Sequence, residues 1–441
     1  MLPRLSVHVF PGGERVPMLH HVCGLPLFYP TLYSTTQLRN AGAAVNTIRN
    51  KLADILVLLR WEEFHGRDLI SEFAQGNFLT VADIVSLRDF AKLDMRDQMQ
   101  ATKPRSPGKG YVNFLESQVA FRRAKASIGG QQHYNRISTF ADYLEFVATV
   151  VTQHRNSPLI AQDIAHMAAT IRKHRPRGLV ADHNDDVESR SPPPELVERF
   201  MAMGAEDSSE NPFRDPGVRL RNAIIFGLLR YTGMRRGELL SLRLDQLDLG
   251  HEPRIWVRRN QDDSYDSRRY QPVSKTKERL LPIPLSLAER IQRYIMQIRA
   301  KIPPARRHPY LLVTHRKGPT WGKPLTLSAL SSQIFGRMRM VDPQFACIHP
   351  HAFRHHFNYE LSVSIDKQNA AASKTADGSR TAPISETREL DVRAFLNGHR
   401  NKASGAVYNR RHIRETSDAA IKKIQAELVR NLRASGEEDE S

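Results

Sequence analysis

Cysteine is almost missing from this chain: 441 residues contain two, Cys23 and Cys347, far apart in sequence. That excludes a disulfide framework and the paired spacing of a zinc finger, and it suits a reducing compartment, read here as cytoplasmic. No run of about eighteen apolar residues occurs, so no membrane-spanning helix and no membrane partner are expected. The opening stretch M-L-P-R-L-S-V-H-V-F-P-G-G lacks the basic-then-apolar layout of a secretory signal. Repeats at solenoid periods are absent. So is a G-x-x-x-x-G-K-[ST] loop: G-P-T-W-G-K-P, from Gly318 to Pro324, has neither its spacing nor its hydroxyl. His349, His351, His355 and His356 invite a metal reading, since His351 and His355 stand at helical i, i+4 spacing. No H-E-x-x-H accompanies them, and Arg354 between them would repel a cation, so neither metal nor cofactor is expected. Acidic residues are also in short supply: 47 Asp and Glu against 65 Lys and Arg leave a net charge of +18. An excess this large points to a polyanionic partner, most simply nucleic acid. Charge alone leaves a basic but otherwise ordinary protein as an equal alternative.

The length exceeds one ordinary domain, and two or three are expected. Residues 1–34 form an extension with several prolines and little helical periodicity, within which Leu5 to Phe10 reads as a strand closed by Pro11-Gly12-Gly13. From Thr36 to 171 the pattern is helical. Leu52, Ile55, Leu56 and Leu59 share one face, Val81 to Ala91 and Tyr111 to Ala126 read as further helices, and Ile137, Phe140, Leu144, Val147 and Val151 form another stripe. A loop with Lys103, Arg105 and Lys109, and then Arg122, Arg123 and Lys125, give this bundle cationic edges. Residues 172–194 read as a linker, basic from Arg172 to Arg177 and stiff at Pro192-Pro193-Pro194. From 195 to 441 helices alternate with a small β element. Ile255 to Arg258 and Pro272 to Pro284 read as strands, Ser286 to Glu289 as a capping box opening a helix to about Arg299, and Thr326 as the cap of another. Pro350 fits the first turn of a helix carrying His351, Arg354 and His355. Residues 364–388, rich in Ala, Ser, Thr, Lys and Asp, are expected to be a mobile loop, and Ser417 to cap a C-terminal amphipathic helix. The fold class is mainly α and multidomain: a helical bundle followed by a mixed, mostly helical domain with a small antiparallel sheet.

The chemistry-bearing residues lie in four segments. Y-T-G-M-R-R-G-E holds Arg235 and Glu238; S-K-T-K-E-R holds Lys275, with Lys277 as its rival; H-P-H-A-F-R-H-H-F holds His351 and Arg354; and F-L-N-G-H-R-N-K-A-S-G-A-V-Y holds His399 and, nine positions on, Tyr408. Each alone is weak. Arg235 could simply pair with Glu238 on a helix surface, Arg354 could pack around His355, and a lone tyrosine is usually packing. Taken together and in order, T-G-M-R-x-x-E, H-x-F-R-H and G-H-x8-Y resemble the tyrosine recombinase (phage integrase) family over roughly residues 215 to 415. The long connection at 364–388 departs from the family's usual shorter one.

The resemblance implies that the bundle at 35–171 is a core-binding domain clamping DNA, and that 195–441 is the catalytic domain. It implies a site-specific recombinase that cuts and rejoins DNA through a 3′-phosphotyrosyl link, without metal or ATP. It implies double-stranded DNA as partner, a homotetramer on DNA, an accessory bending or directionality factor, and a bacterial, nucleoid-associated setting. Arg235 and Arg354 would neutralise a phosphate with planar, permanently charged forks. Tyr408 would attack phosphorus, with His351 or His399 accepting its proton; His399 would donate a hydrogen bond to a phosphate oxygen, and Lys275 would protonate the leaving oxygen. Glu238 and His355 would hold these groups in place. A type IB topoisomerase and a non-catalytic DNA-binding protein are the competing readings; the filled motif positions and the G-H-x8-Y spacing favour the recombinase.

Overall fold

The computed structural model describes residues 3–94, 127–177, 191–374, 383–399, 412–413, 415–418 and 420–425. Lys103, Arg105, Lys109, Arg122, Arg123, Lys125, residues 178–190 of the expected linker, and Tyr408 lie outside the described residues. The chain divides into two units, Met1–Val180 and Ala181–Ser441.

The first unit opens with a hairpin. Strands β1 (Arg4–Val9) and β2 (Arg15–His20) pair antiparallel, Arg4 opposite His20 and Val9 opposite Arg15. Gly13 supplies the left-handed residue the turn needs, at φ 87°. Alternation along β2 sends Leu19 inward, where it joins Leu52, Ile55 and Trp61 in one core. Residues 1–34 are thus in part core material of this unit. Helix α1 (Phe28–Tyr33), running on as wider turns to Arg39, begins earlier than the periodicity suggests. Pro30 hides it from a propensity reading, yet sits in the first turn, where a backbone N–H has no intrahelical partner to lose. Helix α2 (Val45–His65) ends at Gly66 in the left-handed conformation. Helix α3 (Leu69–Gln75) is capped by Asp68, and α4 (Val81–Lys92) by a reciprocal box between Thr80 and Asp83. Helices α5 (Gly130–Thr152) and α6 (Pro158–Lys173) complete the bundle, with Ile137, Phe140, Leu144 and Val147 buried. Arg136, itself buried, donates to the Ala91 and Leu93 carbonyls and so satisfies the C-terminal end of α4. Arg172, read as part of a basic tether, belongs to α6 and is paired with Asp142 and Glu145 at 3.0 and 2.6 Å.

The second unit is organised by α8 (Pro216–Thr232), which follows α7 (Pro194–Met203) and is capped by Asp215. Ile224, Ile225, Phe226, Leu228 and Leu229 of α8 are all buried, so the helix is apolar almost all round and lies inside its domain. Phe200 of α7 sits among the rings of Phe226, Phe335, Phe345 and Phe353, with centroids 5.0 to 5.7 Å away. After the short α9 (Arg236–Ser241), strands β3 (Leu247–Asp248), β4 (Arg254–Val257) and β5 (Arg279–Pro282) form an antiparallel sheet in chain order. Then come α10 (Leu285–Arg293), α11 (Gly336–Val341, entered through wider turns from Ala329), α12 (Pro350–Lys374) and α13 (Glu386–Asn397). The Ala329 N–H donates to Thr326 Oγ1, the cap expected of that residue.

Several expectations change. The strand expected from Pro272 shrinks to Arg279–Pro282, because the hydroxyls of Ser274 and Thr276 bond to each other and to a buried carboxylate instead of leaving the backbone to a ladder. Helix α10 starts at Leu285 after Pro284, with no side-chain cap, so Ser286 lies inside its first turn. Residues 364–374, expected in a mobile loop, continue α12. Their low apolarity was the argument for a loop, but Ala370, Ala371 and Ala372 are the best helix formers, and propensity decides there. Residues 375–382 lie outside the described residues, and α13 begins at Glu386. Ser417, expected to cap a C-terminal helix, is itself helical, with helical residues already at 412–413 and 415–416; the described residues run to 425, with Ile421 and Ile424 exposed. Among the described residues no helix is long and apolar enough to cross a membrane.

Phe200→Ala should destabilise the second unit by about 3–5 kcal/mol through lost burial and the cavity left among four rings. Chemical denaturation followed by fluorescence measures it, and a loss under about 1 kcal/mol would show that the aromatic cluster is not a keystone.

Candidate active site

Two glycine turns build the site. Gly233 ends α8 at φ 56°, and Gly398 ends α13 at φ 63°. Both left-handed residues are crowded as well: a Cβ on Gly233 would lie 2.5 Å from Phe357, and one on Gly398 would lie 2.7 Å from the Arg279 guanidinium and 2.8 Å from Thr276. Only glycine fits either place. The turns aim backbone carbonyls and the following side chains at one region.

Arg354, on the first turns of α12, is completely buried. Its Nη1 donates to the Gly233 carbonyl at 2.8 Å, and its Nη2 to the Asn397 carbonyl at 2.8 Å and to His399 Nε2 at 3.1 Å. Arg235 caps α9 and donates from Nη1 to the same Asn397 carbonyl at 3.2 Å. One oxygen therefore gathers both guanidinium groups, which can be no further apart than two hydrogen bonds.

The Arg354–His399 contact fixes a tautomer. A guanidinium can only donate, so His399 Nε2 must be the bare acceptor and the ring proton must sit on Nδ1. The pKa of His399 is pushed down to about 4, first by burial and then by Arg354, Arg235 and Arg279. The ring is therefore neutral near pH 7 and presents an N–H.

Glu238, 1% exposed, is where the elements meet. Its Oε2 accepts the Arg235 backbone N–H at 2.9 Å and Arg279 Nη2 at 2.8 Å; its Oε1 accepts the Thr276 hydroxyl at 2.5 Å and Arg279 Nη1 at 3.4 Å. Burial pushes its pKa up, but the Arg279 charge and these donors outweigh that and hold it below the usual carboxylate range. Arg279 also donates to the Leu396 carbonyl, and the Lys277 N–H to the Gly398 carbonyl, so β5 is tied to the turn that carries His399. Lys275 stands exposed between buried Ser274 and Thr276.

Arg235, Arg354, His399 and Glu238 are thus brought together, and Lys275 is joined to them through Thr276. His351 sits one turn ahead of Arg354 on the exposed side of α12, its ring 4.7 Å from that of buried His355. The reading of the sequence missed Arg279, Thr276, Asn397 and the buried Asn358, whose amide pairs reciprocally with that of Asn397 at 2.7 and 3.1 Å. One signal was available for Arg279: it occupies the inward phase of a strand whose next inward residue is Leu281. A guanidinium placed there must find a buried partner.

Among the described residues, one trio has ligand atoms close enough for an ion: Glu198, His356 and Glu360. Arg230 donates to both carboxyl groups, so their oxygens serve an ion-pair cluster.

Residues 207–370, which include Arg235, Glu238, Lys275, His351 and Arg354, match the family described as phage integrase. The second unit carries a phage integrase family domain. Solved structures similar to this chain include the XerA recombinase, at 15% identity, covering 89% of this chain and 97% of that one, with a TM-score of 0.34. Another is the XerH site-specific recombinase bound to palindromic difH substrate in a post-cleavage complex, at 12% identity, covering 83% and 95%, with a TM-score of 0.39. No curated protein matches the chain.

The depressed pKa of His399 has a stability consequence. Between about pH 6.5, its unfolded value, and about 4, the unfolded chain binds the proton and the folded one does not. The neutral ring's contribution is therefore present above that window and lost as pH falls through it. Thermal midpoints of the DNA-free protein should drop from pH 6.5 to 4, and His399→Gln should flatten the drop. Half-buried His315, also pushed down to about 4, stays in both proteins, so the difference isolates His399.

Proposed function

We propose that this protein is a site-specific recombinase that cuts one DNA strand with the Tyr408 hydroxyl. The tyrosine oxygen bonds to the scissile phosphorus, the bond from phosphorus to the 5′ oxygen breaks, and a 3′-phosphotyrosyl link and a 5′-hydroxyl result. Because one phosphodiester replaces another, rejoining needs no ATP. The observation that carries the reading is the convergence of Arg235 and Arg354 on the Asn397 carbonyl. Two guanidinium groups that share one acceptor are close enough together to serve one phosphate, and prepositioned charge of this kind stabilises a pentacoordinate state with little reorganisation.

His399, neutral with its proton on Nδ1, serves as hydrogen-bond donor to phosphate. Its Nε2 is engaged by Arg354, which leaves exposed His351 as the acceptor for the phenol proton. Lys275 gives its proton to the departing 5′ oxygen. The helical bundle and the basic residues Lys103, Arg105, Lys109, Arg122, Arg123 and Lys125 grip the duplex. We further propose action as a homotetramer on paired sites in the cytoplasm of a bacterial host, with an accessory factor setting direction.

A duplex nicked just 3′ of the cleavage site tests this, because the short 5′ fragment diffuses away and traps the covalent complex. Wild type should accumulate it, Tyr408→Phe should form none, and Arg354→Ala should slow it by about 10²–10³. Binding without any covalent product would mean a non-catalytic DNA-binding protein. Site-independent relaxation of supercoiled plasmid would mean topoisomerase chemistry.

Binding affinity should also fall steeply with salt, since each phosphate contact releases counterions. Titration at several salt concentrations reads the slope; a flat response would contradict a backbone clamp.

A further inference from the structure

The connection from β4 to β5 is long, yet it is pinned at three places. Asp263 receives Arg243 at 2.9 Å and the Tyr310 hydroxyl at 2.8 Å. Arg268, 6% exposed, donates to Asp266 and to the carbonyls of Leu240 and Leu325, with its guanidinium 4.7 Å from the Tyr310 ring centre. The third pin is Thr276. Its single proton goes to Glu238 Oε1 at 2.5 Å, and its oxygen receives Arg279 Nη1 at 3.0 Å and lies 2.9 Å from Ser274 Oγ. Lys275 is the exposed residue between the two buried hydroxyls.

We propose that Thr276 and Arg279 are positioning residues for the proton donor: through Glu238 they lock the Lys275 arm to the Arg235 cap, so proton donation and phosphate neutralisation are set by one rigid unit. This rests on the reading of Lys275 as the general acid. Glu238 makes the link because its two oxygens serve both sides: Oε2 holds the Arg235 backbone N–H, and Oε1 holds Thr276. Arg279 spans both oxygens and closes the unit. An ammonium on a loose arm would lose the alignment that makes proton transfer fast. Removing the Thr276 hydroxyl frees the arm while leaving Lys275 itself in place.

A substrate with sulfur replacing the bridging 5′ oxygen separates the possibilities. With oxygen, the bond to phosphorus breaks as the Lys275 proton reaches the 5′ oxygen. With sulfur, the same bond breaks and a thiolate departs without a proton, so the acid is bypassed. Single-turnover covalent-complex formation is measured on both substrates with full-length protein, alongside DNA affinity.

Thr276→Val should slow the oxygen substrate by about 10–10² and the sulfur substrate by less than about threefold, with affinity unchanged. Thr276→Ser should restore the rate, and Lys275→Ala should show the same selective loss. If Thr276→Val slows both substrates equally, or neither, the positioning role is overturned while the acid assignment stands. If Lys275→Ala is not rescued by sulfur, the acid assignment fails and the proposal falls with it. Should Thr276→Val not fold, Ser274→Ala, which removes only the neighbouring hydroxyl, is read on the same two substrates: selective loss supports the proposal, and equal rates on both overturn it.

Discussion

The buried ion pair between Glu238 and Arg279 is the constraint on which the catalytic unit turns. Taking two charges out of water costs several kcal/mol per ion, and their attraction repays that only when the remaining hydrogen-bonding capacity is filled. Here it is filled: the carboxylate has donors on both oxygens, from a side chain on β5, a hydroxyl on the loop before that strand and the backbone of a helix cap. Each donor comes from a different element. The pair therefore does more than stabilise; it sets α9, the Lys275 loop and β5 relative to one another, and through the Leu396 carbonyl it reaches the end of α13.

The two arginines proposed to receive phosphate are held differently. Arg354 is sunk among carbonyls and His399 with no exposure, so its direction is set by packing. Arg235 keeps about a third of its side chain exposed and is held mainly by its backbone and by the shared Asn397 carbonyl. A fixed guanidinium beside a partly open one suits the proposed phosphate site, where the fold would meet most of the orienting cost before a ligand arrives. The carbonyls depend on left-handed turns at Gly233 and Gly398, where any side chain would collide with Phe357 or with Arg279 and Thr276.

Local chemistry read well where one element decides it. The apolar run of α8, the strand at Ile255, the cap at Thr326 and the proline opening α12 follow from periodicity and turn residues over a few positions. Readings failed where composition and propensity disagreed. The Ala-rich stretch after residue 364 looked too polar for a core, which is true, but an exposed helix needs no core of its own. Ser286 looked like a cap, but the helix is already under way there, its N-cap position being Pro284. The missed polar residues share one property: Arg279, Thr276, Asn358 and Asn397 draw their meaning from partners 38 or more positions away.

The sequence by itself determined the identity and order of the chemistry-bearing groups, the basic charge that suits a polyanion, and the mainly helical class, because these are written in residue type and short-range spacing. Only the tertiary structure decided that one carbonyl gathers both arginines, that His399 is neutral with its proton on Nδ1, and that Thr276 and Arg279 tie the lysine arm to the arginine cap. Those properties depend on burial and on hydrogen bonds between elements far apart in the chain, and neither exists until the chain has folded.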